Sequence, residues 1–393
     1  MMHSAMLTKE QQRIRQEFHK SLRADGEYHK DTKAAKMGLY YTTQSAMGIP
    51  WWTWLWMIGA RGRGKSYAAV KTVLDFVRRY GQENVKCYYF RISDLSVKAM
   101  LADSGRKAVD AKLVRNYKLN LSTHGYSLYN NDKPFIDFYP LVSAAKRGKG
   151  VAEYDPDFLL KRPIDERTGK PVKRFVFLII DEFMVDETQE KKSVGDPVKQ
   201  FKIYFENILR DQEQLDYRAV MVFGCANSVS ECNDFLAQLA GFIPEKPGRY
   251  KLKRKHMIVD MIPNSEAYIE KRKASIGADI MDYNDDENYT NVVKRDLETL
   301  VPKGTRLRKV TAIIKFTKDP KDWFVLWDDK VIKRYKNQPF KKSQVIAMKR
   351  YLDSEFYPDL VLNVVERQDA RNFLFSDLIS QSTFIARMKQ IKR

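Results

Sequence analysis

Gly59-Ala60-Arg61-Gly62-Arg63-Gly64-Lys65-Ser66 is the stretch that decides how this chain is organised. It matches the pattern of a glycine, four residues and Gly-Lys-Ser that is typical of a phosphate-binding P-loop. Its three glycines let the backbone curl until the N–H groups point at phosphate oxygens. Lys65 then reaches the β- and γ-phosphates as a positive charge, and the Ser66 hydroxyl is a ligand for Mg²⁺. We therefore predict that these eight residues, Ala60, Arg61 and Arg63 included, bind a nucleoside triphosphate.

The residues on either side of the loop favour a strand that enters it and a helix that leaves it. Trp54-Leu55-Trp56-Met57-Ile58 is a short apolar run, as expected of a buried strand. From Tyr67 to Tyr80, apolar residues recur at helical spacing. The alternative is a chance glycine-rich turn, and the complete motif between a strand and a helix argues against it.

A second motif lies where another apolar run ends. Phe175-Val176-Phe177-Leu178-Ile179-Ile180 is continuously apolar, which is typical of a strand buried on both faces of a parallel sheet. It ends in Asp181 and Glu182, at the carboxyl end of the strand, where α/β sheets bind their ligands. We interpret the pair as a Walker B element, in which Asp181 holds Mg²⁺ and Glu182 orients and deprotonates the attacking water. The alternative is an exposed acidic pair that merely ends a strand.

Further elements follow the same alternating pattern. Asp196-Pro197 begins a predicted helix, with Asp196 as its cap and proline at its first position. The run from Ala219 to Ala226 predicts another buried strand, which ends in Asn227. We expect Asn227 to lie beside the Walker B strand, where it can sense the γ-phosphate; a plain turn residue is an equal alternative.

The charge of the chain points to a polyanionic partner. A net charge of +20 over 393 residues favours nucleic acid first and an anionic membrane second. No apolar run is long enough to span a bilayer, and the amino-terminal residues lack the apolar segment of a signal peptide, so we expect a cytosolic protein without a membrane partner. Neither the three cysteines nor the five histidines form a pattern that would bind a metal. A basic protein that is merely soluble is the alternative.

Changes in composition divide the chain into four predicted parts. We expect a helical extension over residues 1–40, an ATPase domain over 41–245, a linker over 246–300 and a basic, nucleic-acid-binding domain over 301–393. The last range carries 21 Lys and Arg against 10 Asp and Glu, which is more than half of the excess positive charge. Three strands are predicted in it, followed by helices over 341–355 and 367–391.

Taken together, the motifs resemble those of the DNA-packaging ATPases of small tailed bacteriophages of the picovirus type. The stretches that carry the resemblance run from Gly59 to Ala68, from Ile179 to Phe183 and from Asn227 to Ser230, with weaker similarity at Arg91 and from Met261 to Ser265. It covers residues from about 40 to 393. These proteins are distantly similar to large terminase subunits.

The resemblance implies an activity and a set of partners. It predicts ATP and Mg²⁺ at the P-loop and a ring, usually of five subunits, at the portal vertex of a prohead in the host cytoplasm. Such a ring drives double-stranded DNA into the prohead, and some members of the family bind a prohead RNA. The implied fold is an α/β P-loop NTPase of the additional-strand, catalytic-glutamate type, a parallel sheet flanked by helices. A linker subdomain follows, and then a small α+β domain that resembles a degenerate nuclease of the RNase H type.

The resemblance also assigns roles to individual residues. Arg210 matches best the arginine that acts in trans on the nucleotide of a neighbouring subunit, with Arg218 as the second candidate; a cation that favours a helix C-terminus is the alternative for Arg210. Lys146, or Lys149, matches a lysine that serves communication between subunits. Gln44 lies about where a glutamine would recognise adenine. For Arg61 and Arg63, phosphate contacts and solvent exposure are both open.

Two other functions stay open at this level. Strand Val310–Phe316 carries no carboxylate, whereas a two-metal nuclease needs closely spaced ones. An active nuclease would instead have to use acids such as Asp328, Asp329, Glu366 or Asp377. The other alternative is a nucleic-acid-binding protein with a nucleotide switch and no motor activity.

Overall fold

The computed structural model describes residues 40–49, 51–141, 157–160, 162–183, 197–208, 219–227, 235–244, 246–273, 300–302, 304–315, 323–328, 330–335, 351–353 and 374–391. The chain divides into two compact units, which are described separately. The first unit contains Met1–Val229 and Lys246–Asn291, and the second contains Ser230–Glu245 and Val292–Arg393. None of the helices in the described ranges has the length and apolar character needed to cross a membrane.

The strands of the first unit follow the apolar runs of the sequence. In chain order they are β1 (Trp54–Gly59), β2 (Val85–Arg91), β3 (Leu121–His124), β4 (Ser127–Asn130), β5 (Lys133–Pro140), β6 (Ile164–Asp165), β7 (Lys170–Pro171), β8 (Phe175–Asp181), β9 (Val220–Asn227), β10 (Gly248–Leu252) and β11 (Met257–Met261). Strands β6 and β7 form a separate short ladder, and the others form one sheet in the order β10-β11-β1-β9-β8-β2-β5-β4-β3. Its middle six strands, from β11 to β5, are parallel. Strand β9 therefore lies between the strand that enters the P-loop and the strand that ends in Asp181.

Helices cover both faces of this sheet. In chain order they are α1 (Gln44–Met47), α2 (Lys65–Tyr80), α3 (Asp94–Gly105), α4 (Ala111–Tyr117), α5 (Asp157–Leu160), α6 (Pro197–Ile208) and α7 (Glu266–Lys273). Helix α2 buries Phe76 against one face, where its ring lies 4.9 Å from Phe175 and 5.0 Å from Phe177. Helix α6 covers the other face, where Phe201 lies 5.3 Å from Phe90. Burying an aromatic ring of this size contributes about 1.5–3 kcal/mol, so both helices are held mainly by their apolar stripes.

The close approach of β1 and β9 depends on a glycine. A Cβ atom at Gly224 would lie 2.2 Å from the Trp56 ring. Trp56 is fully buried, so the ring has no room to move away. This strand pair therefore requires glycine at that position.

Most of the elements predicted in the first unit are confirmed. The strands around the two motifs, the helix after the P-loop and the helix that starts at Pro197 are all present. Strand β3 was not predicted. The predicted linker also differs from the structure: β10 and β11 lie within 246–300, yet they form one edge of the large sheet. The predicted extension over residues 1–40 lies outside the described residues except for Tyr40.

The second unit contains a five-stranded sheet. The strands of this sheet are β12 (Val310–Lys315), β13 (Trp323–Trp327), β14 (Val331–Tyr335), β15 (Tyr351–Asp353) and β16 (Leu374–Phe375), and the unit also contains a π-helical turn (Leu236–Ala240) and helix α8 (Leu378–Ile391). The strand order is β15-β12-β13-β14-β16, and Phe384 of α8 packs on Phe324 and Phe375. The three predicted strands are confirmed. The predicted helix over 341–355 is wrong at Tyr351–Asp353, because those residues pair with β12 in parallel. Likewise, 374–375 form a strand where a helix over 367–391 was expected, and α8 begins only at Leu378.

Candidate active site

Two glycines shape the loop between β1 and α2. Gly62 and Gly64 have φ values of +83° and +76°, in the left-handed region that other residues rarely adopt. A Cβ atom at Gly62 would meet nothing within 4 Å, so backbone conformation rather than space requires glycine there. The loop leads directly into Lys65, the first residue of α2. The N-terminus of a sixteen-residue helix, with its free N–H groups, thus begins at the loop, an arrangement that suits an anion.

Lys65 is buried at the base of the loop. Its Nζ donates hydrogen bonds to the carbonyl oxygens of Gly59 (2.8 Å) and Ala60 (2.9 Å), and to Asn227 Oδ1 at 3.3 Å. Burial lowers the pKa of Lys65 from its ordinary value of 10.5 to about 8, although the nearby groups Cys225 and Asp181 act in the opposite direction. A buried ammonium with neutral partners can interact favourably with an anion that enters the site.

Asp181 accepts hydrogen bonds from three side chains. Ser66 Oγ donates to its Oδ1 at 2.7 Å, and the Tyr89 hydroxyl donates to its Oδ2 at 2.7 Å. Arg91 Nη1 also donates to Oδ2 at 2.7 Å. The carboxylate is 8% exposed, so the cost of burying its charge is offset by these three donors.

Glu182 differs from its neighbour in both exposure and backbone. Its side chain is 50% exposed, and Arg91 Nη2 donates to its Oε2 at 2.6 Å. Its φ is +53°, and its N–H donates to the carbonyl oxygen of Cys225 at 2.8 Å. This turn separates the two carboxylates at the end of β8: Asp181 is held inside the sheet edge and Glu182 extends towards solvent.

Arg91 joins the two acids. Burial acts to lower the pKa of Arg91, but the charges of Asp181 and Glu182 outweigh it, and the net shift is upward. The guanidinium therefore stays charged and fixes one carboxylate relative to the other.

These groups surround one cavity of about 230 Å³ at the carboxyl end of the sheet. It is lined by Arg61, Gly62, Gly64, Lys65, Ser66, Tyr67, Asp181, Glu182, Cys225, Ala226 and Asn227. The two motifs that the sequence placed more than a hundred residues apart thus face the same space, the P-loop cavity.

Comparison with known proteins identifies the fold. No protein-family model matches the sequence, and no curated protein matches it at the sequence level. Among solved structures, the Phi-28 gp11 DNA packaging motor superposes with a TM-score of 0.61 at 13% identity, over 89% of this chain and 98% of that one. The bacteriophage Phi-29 viral genome packaging motor assembly gives a TM-score of 0.57 at 13% identity, over 90% and 99% of the two chains.

The chain has the fold of a phage packaging motor. At this identity the likeness establishes the fold alone.

Within this packaging-motor fold, residues of both motifs line the cavity, whereas Arg63 and Gln44 do not. Arg63 is 4% exposed and its guanidinium points away from the P-loop cavity: Nη2 donates to the Pro263 carbonyl at 3.0 Å, and the group lies 4.8 Å from the Tyr268 ring. Its side chain is therefore not exposed to solvent, which was one of the two alternatives, whereas Arg61 is exposed and lines the cavity. A phosphate contact stays a prediction for both arginines. Gln44 begins α1 and is not among the residues that line the cavity.

Four residues were predicted to act between subunits. Arg210, Arg218, Lys146 and Lys149 all lie outside the described residues. Their roles stay predictions.

Two residues of the site were not predicted from the sequence. Arg91 and Tyr89 lie at the end of β2, which pairs with β8 so that Phe90 is opposite Ile180. The available signal was an arginine at the end of a strand, since parallel strands bring their carboxyl ends to one edge. Without the strand order that signal does not say which acid the arginine meets.

Proposed function

We propose that this chain is an ATPase that moves double-stranded viral DNA into a preformed prohead. The observation that carries the proposal is the P-loop cavity, in which Ser66 Oγ lies 2.7 Å from Asp181 Oδ1 and Glu182 follows on the same strand end. The fold supports it as well, because two solved structures that superpose over about nine-tenths of the chain with TM-scores of 0.61 and 0.57 are packaging motors.

The oxygen atoms that Ser66 and Asp181 present to the cavity are suitable ligands for Mg²⁺. Hydroxyl and carboxylate oxygens are the hard ligands that this ion prefers, and Ser66 and Asp181 present both side by side. When bound, Mg²⁺ supplies positive charge next to phosphate oxygens, which favours phosphoryl transfer.

The residues of the chain supply the rest of the chemistry. The N–H groups of the loop and Lys65 hold the triphosphate, and Asn227, within reach of Lys65, marks the position of its terminal phosphate. Glu182 aligns the attacking water and accepts its proton, and its half-exposed carboxylate at the edge of the cavity suits that role. Arg91 is a positioning residue, since it contacts both acids and does not line the cavity. The order β1-β9-β8 supports the additional-strand, catalytic-glutamate class of NTPase.

The finer parts of the proposal concern assembly. We infer a ring, with five subunits as the expected number, that acts at the portal vertex in the host cytoplasm and is completed by Arg210 of a neighbouring subunit. An arginine supplied in trans contributes roughly 10³–10⁵ in rate, which would let one subunit time the next. Gln44 as an adenine contact, Lys146 as a communication residue and a prohead RNA as a partner belong to the same proposal.

The decisive experiment measures ATP hydrolysis by the full chain with and without double-stranded DNA and proheads. We expect DNA and proheads together to stimulate turnover, and a DNase-protected genome to accumulate. Slow, DNA-independent hydrolysis by a chain that stays monomeric would instead indicate a nucleotide switch.

For the residue that acts in trans, subunits carrying Arg210→Ala are mixed with subunits carrying Glu182→Gln. Activity regained in the mixture supports Arg210, and full activity of Arg210→Ala alone excludes it.

The nuclease alternative has less support. Asp328 accepts hydrogen bonds from the backbone N–H groups of Arg308 and Lys309, and Asp377 accepts one from Ser380 N at 2.8 Å at the start of α8. Both acids thus hold the backbone, while Asp329 and Glu366 lie outside the described residues. Within the described ranges, no group of three or more His, Cys, Asp or Glu side chains is placed to hold a metal ion. Metal-dependent cleavage of plasmid DNA by the purified chain would revive this alternative.

A further inference from the structure

The turn between β10 and β11 carries the densest positive charge of the first unit. Six of the ten residues from Lys246 to Lys255 are Lys or Arg, and no acidic residue occurs between Lys246 and Val259. Strand β10, the 3₁₀ turn Lys253–Lys255 and the start of β11 form one antiparallel hairpin. We call residues 246–257 the basic hairpin.

The basic hairpin is anchored on one side. Strand β11 is buried along its whole length and pairs with β1. Arg249 Nε and Nη2 donate to the two oxygens of the buried Asp260, both at 2.6 Å, and Nη2 also reaches Ser45 Oγ at 2.9 Å. His256 closes the turn with a φ of +52°, and its carbonyl accepts hydrogen bonds from Thr53 N and Trp54 N. Arg249 is therefore used within the fold.

The remaining five cations face solvent. Lys246, Lys251, Lys253, Arg254 and Lys255 are all exposed. A lysine on an edge strand such as β10 commonly prevents edge-to-edge pairing, and that explanation is sufficient for Lys251. The same explanation does not apply to the three consecutive cations Lys253–Lys255, because the turn has no strand edge that another strand could pair with.

The basic hairpin lies at the opposite end of the sheet from the P-loop cavity. Trp54 of β1 pairs with Met257 and Ile58 pairs with Met261, so the turn is at the amino end of β1 and the loop at its carboxyl end. At about 3.3 Å per residue, the five steps from Trp54 to Gly59 separate the two by roughly 17 Å. The exposed cations are therefore too far away to contact the phosphates of a nucleotide in the cavity.

We propose that the basic hairpin is a sequence-independent contact site for the phosphodiester backbone of double-stranded nucleic acid. Lysine is a compact charge that binds phosphate without reading a base edge. A cationic turn on a strand fixed to the sheet keeps its charges together, so that several phosphates of one duplex can be contacted at once. The inference rests on the proposed function, and it assigns to the first unit a DNA contact that composition alone had placed mainly in the basic carboxyl-terminal range.

The test uses the full-length protein and two variants with equal changes in charge. One carries Lys251→Gln, Lys253→Gln and Lys255→Gln. The control carries Lys107→Gln, Lys112→Gln and Lys118→Gln, at exposed positions of the first unit around α4. Binding of a 30-base-pair duplex is measured by fluorescence anisotropy over a range of salt concentrations, with two unrelated sequences and with an RNA duplex. Binding of a fluorescent ATP analogue shows that each variant is folded.

We expect the hairpin variant to bind duplex at least about tenfold more weakly than the control variant at 0.1 M salt, with the same loss for both sequences. Its plot of log affinity against log salt should be shallower by about 0.9 for each phosphate contact removed. ATP-analogue binding should be equal in both variants. An equal loss with duplex RNA would extend the contact to both kinds of duplex, as expected for backbone recognition.

Three results would overturn the inference. If the hairpin variant and the control variant bind duplex equally well, the site lies elsewhere, and the proposed function is unaffected. If the hairpin variant keeps its duplex affinity but no longer associates with proheads, the partner of the hairpin is a protein. If the wild-type chain binds no duplex at all, both the inference and the proposed function fail.

Discussion

The two ends of the large sheet use positive charge in opposite ways. At the carboxyl end, Lys65 is buried and the Arg91 side chain is only 11% exposed, and each is held by acceptors at 2.6–3.3 Å. At the amino end, Lys253 and Lys255 are exposed on a turn without nearby acids in the sequence. The charges at the carboxyl end are hardly screened by salt, and their effect depends on the atoms that contact them. The exposed charges of the basic hairpin are screened by salt, and one lysine can replace another. The difference favours nucleotide hydrolysis at the carboxyl end of the sheet and binding of a nucleic-acid backbone at the amino end.

The largest effect should come from Lys65→Ala. Removal of the buried ammonium eliminates the cation at the base of the P-loop that binds the β- and γ-phosphates, so we expect no detectable nucleotide binding and background turnover. Titration with a fluorescent ATP analogue checks the first, and phosphate release checks the second. Lys112→Ala, an exposed cation of the same unit, is the control and should behave like wild type. Near-normal nucleotide affinity in Lys65→Ala would show that the cavity is not the nucleotide site.

Next in size is Glu182→Gln. Because the amide keeps the shape of the carboxylate but cannot take a proton, nucleotide binding should persist while turnover falls by about 10²–10⁴. Single-turnover hydrolysis separates the two quantities. The exposed Glu166→Gln serves as the matched control. Unchanged turnover in Glu182→Gln would remove Glu182 from the role of general base.

Arg91→Ala tests whether the buried end depends on charge pairing. Loss of one partner of a buried ion pair costs several kcal/mol, and since Ser66 and Tyr89 still donate to Asp181 we expect about 3 kcal/mol. Denaturant unfolding measures it. Added Mg²⁺ and ATP should stabilise this variant more than wild type, because a cation can then neutralise Asp181.

Arg249→Ala is the comparison for Arg91→Ala. It breaks a similar ion pair with Asp260, whose side chain is 6% exposed, away from the cavity. This variant should lose stability too, but its gain from Mg²⁺ and ATP should equal that of wild type. Equal gains in both variants would show that the Arg91 pair is not linked to the nucleotide site.

The smallest effect concerns pH. Burial lowers the pKa of Lys65 from 10.5 to about 8, because the charged form is disfavoured in the folded chain. Folding stability should therefore be lowest below pH 8, where Lys65 is charged, and should rise until the pH exceeds 10.5. A bound triphosphate favours the charged form. Nucleotide affinity should therefore decrease as pH rises above 8, by no more than about tenfold per pH unit, and binding at pH 8 should take up about half a proton.

The number of protons taken up on nucleotide binding is measured by titration calorimetry in two buffers of different ionisation enthalpy. Lys65→Arg, which stays charged, should show no such uptake if it binds nucleotide. Absence of proton uptake by the wild-type chain at pH 8 would mean that Lys65 is already charged in the empty cavity.

What could be predicted from the sequence was local. The P-loop, the apolar run of β8 and the Asp181-Glu182 pair each lie within about ten residues, and the structure brings them together as parallel-sheet geometry requires. Arg91 could not be assigned in this way, since its contacts with Asp181 and Glu182 depend on the pairing of β2 with β8. Arg63 was unpredictable for the same reason, because its partners lie about 200 residues further along the chain.

The basic hairpin was missed for a different physical reason. Pro247, Gly248 and the run of cations reduce the strand signal of β10, and Asp260 interrupts the apolar run of β11. That aspartate is tolerated in a buried strand because Arg249 and the Tyr41 hydroxyl donate to it. A range that looks like a linker by composition can therefore be a sheet edge when its charges are paired by distant residues.

The position of β1 in the sheet has a consequence for synthesis of the chain. Its two neighbours are β9 and β11, which begin only at Val220 and Met257, so the strand that carries the P-loop stays unpaired on both sides until those segments have left the ribosome. Pairings of such long sequence separation form slowly and leave apolar edges exposed in the meantime. A nascent chain that stops before Val220 should therefore lack both neighbours of β1 and be a target for chaperones.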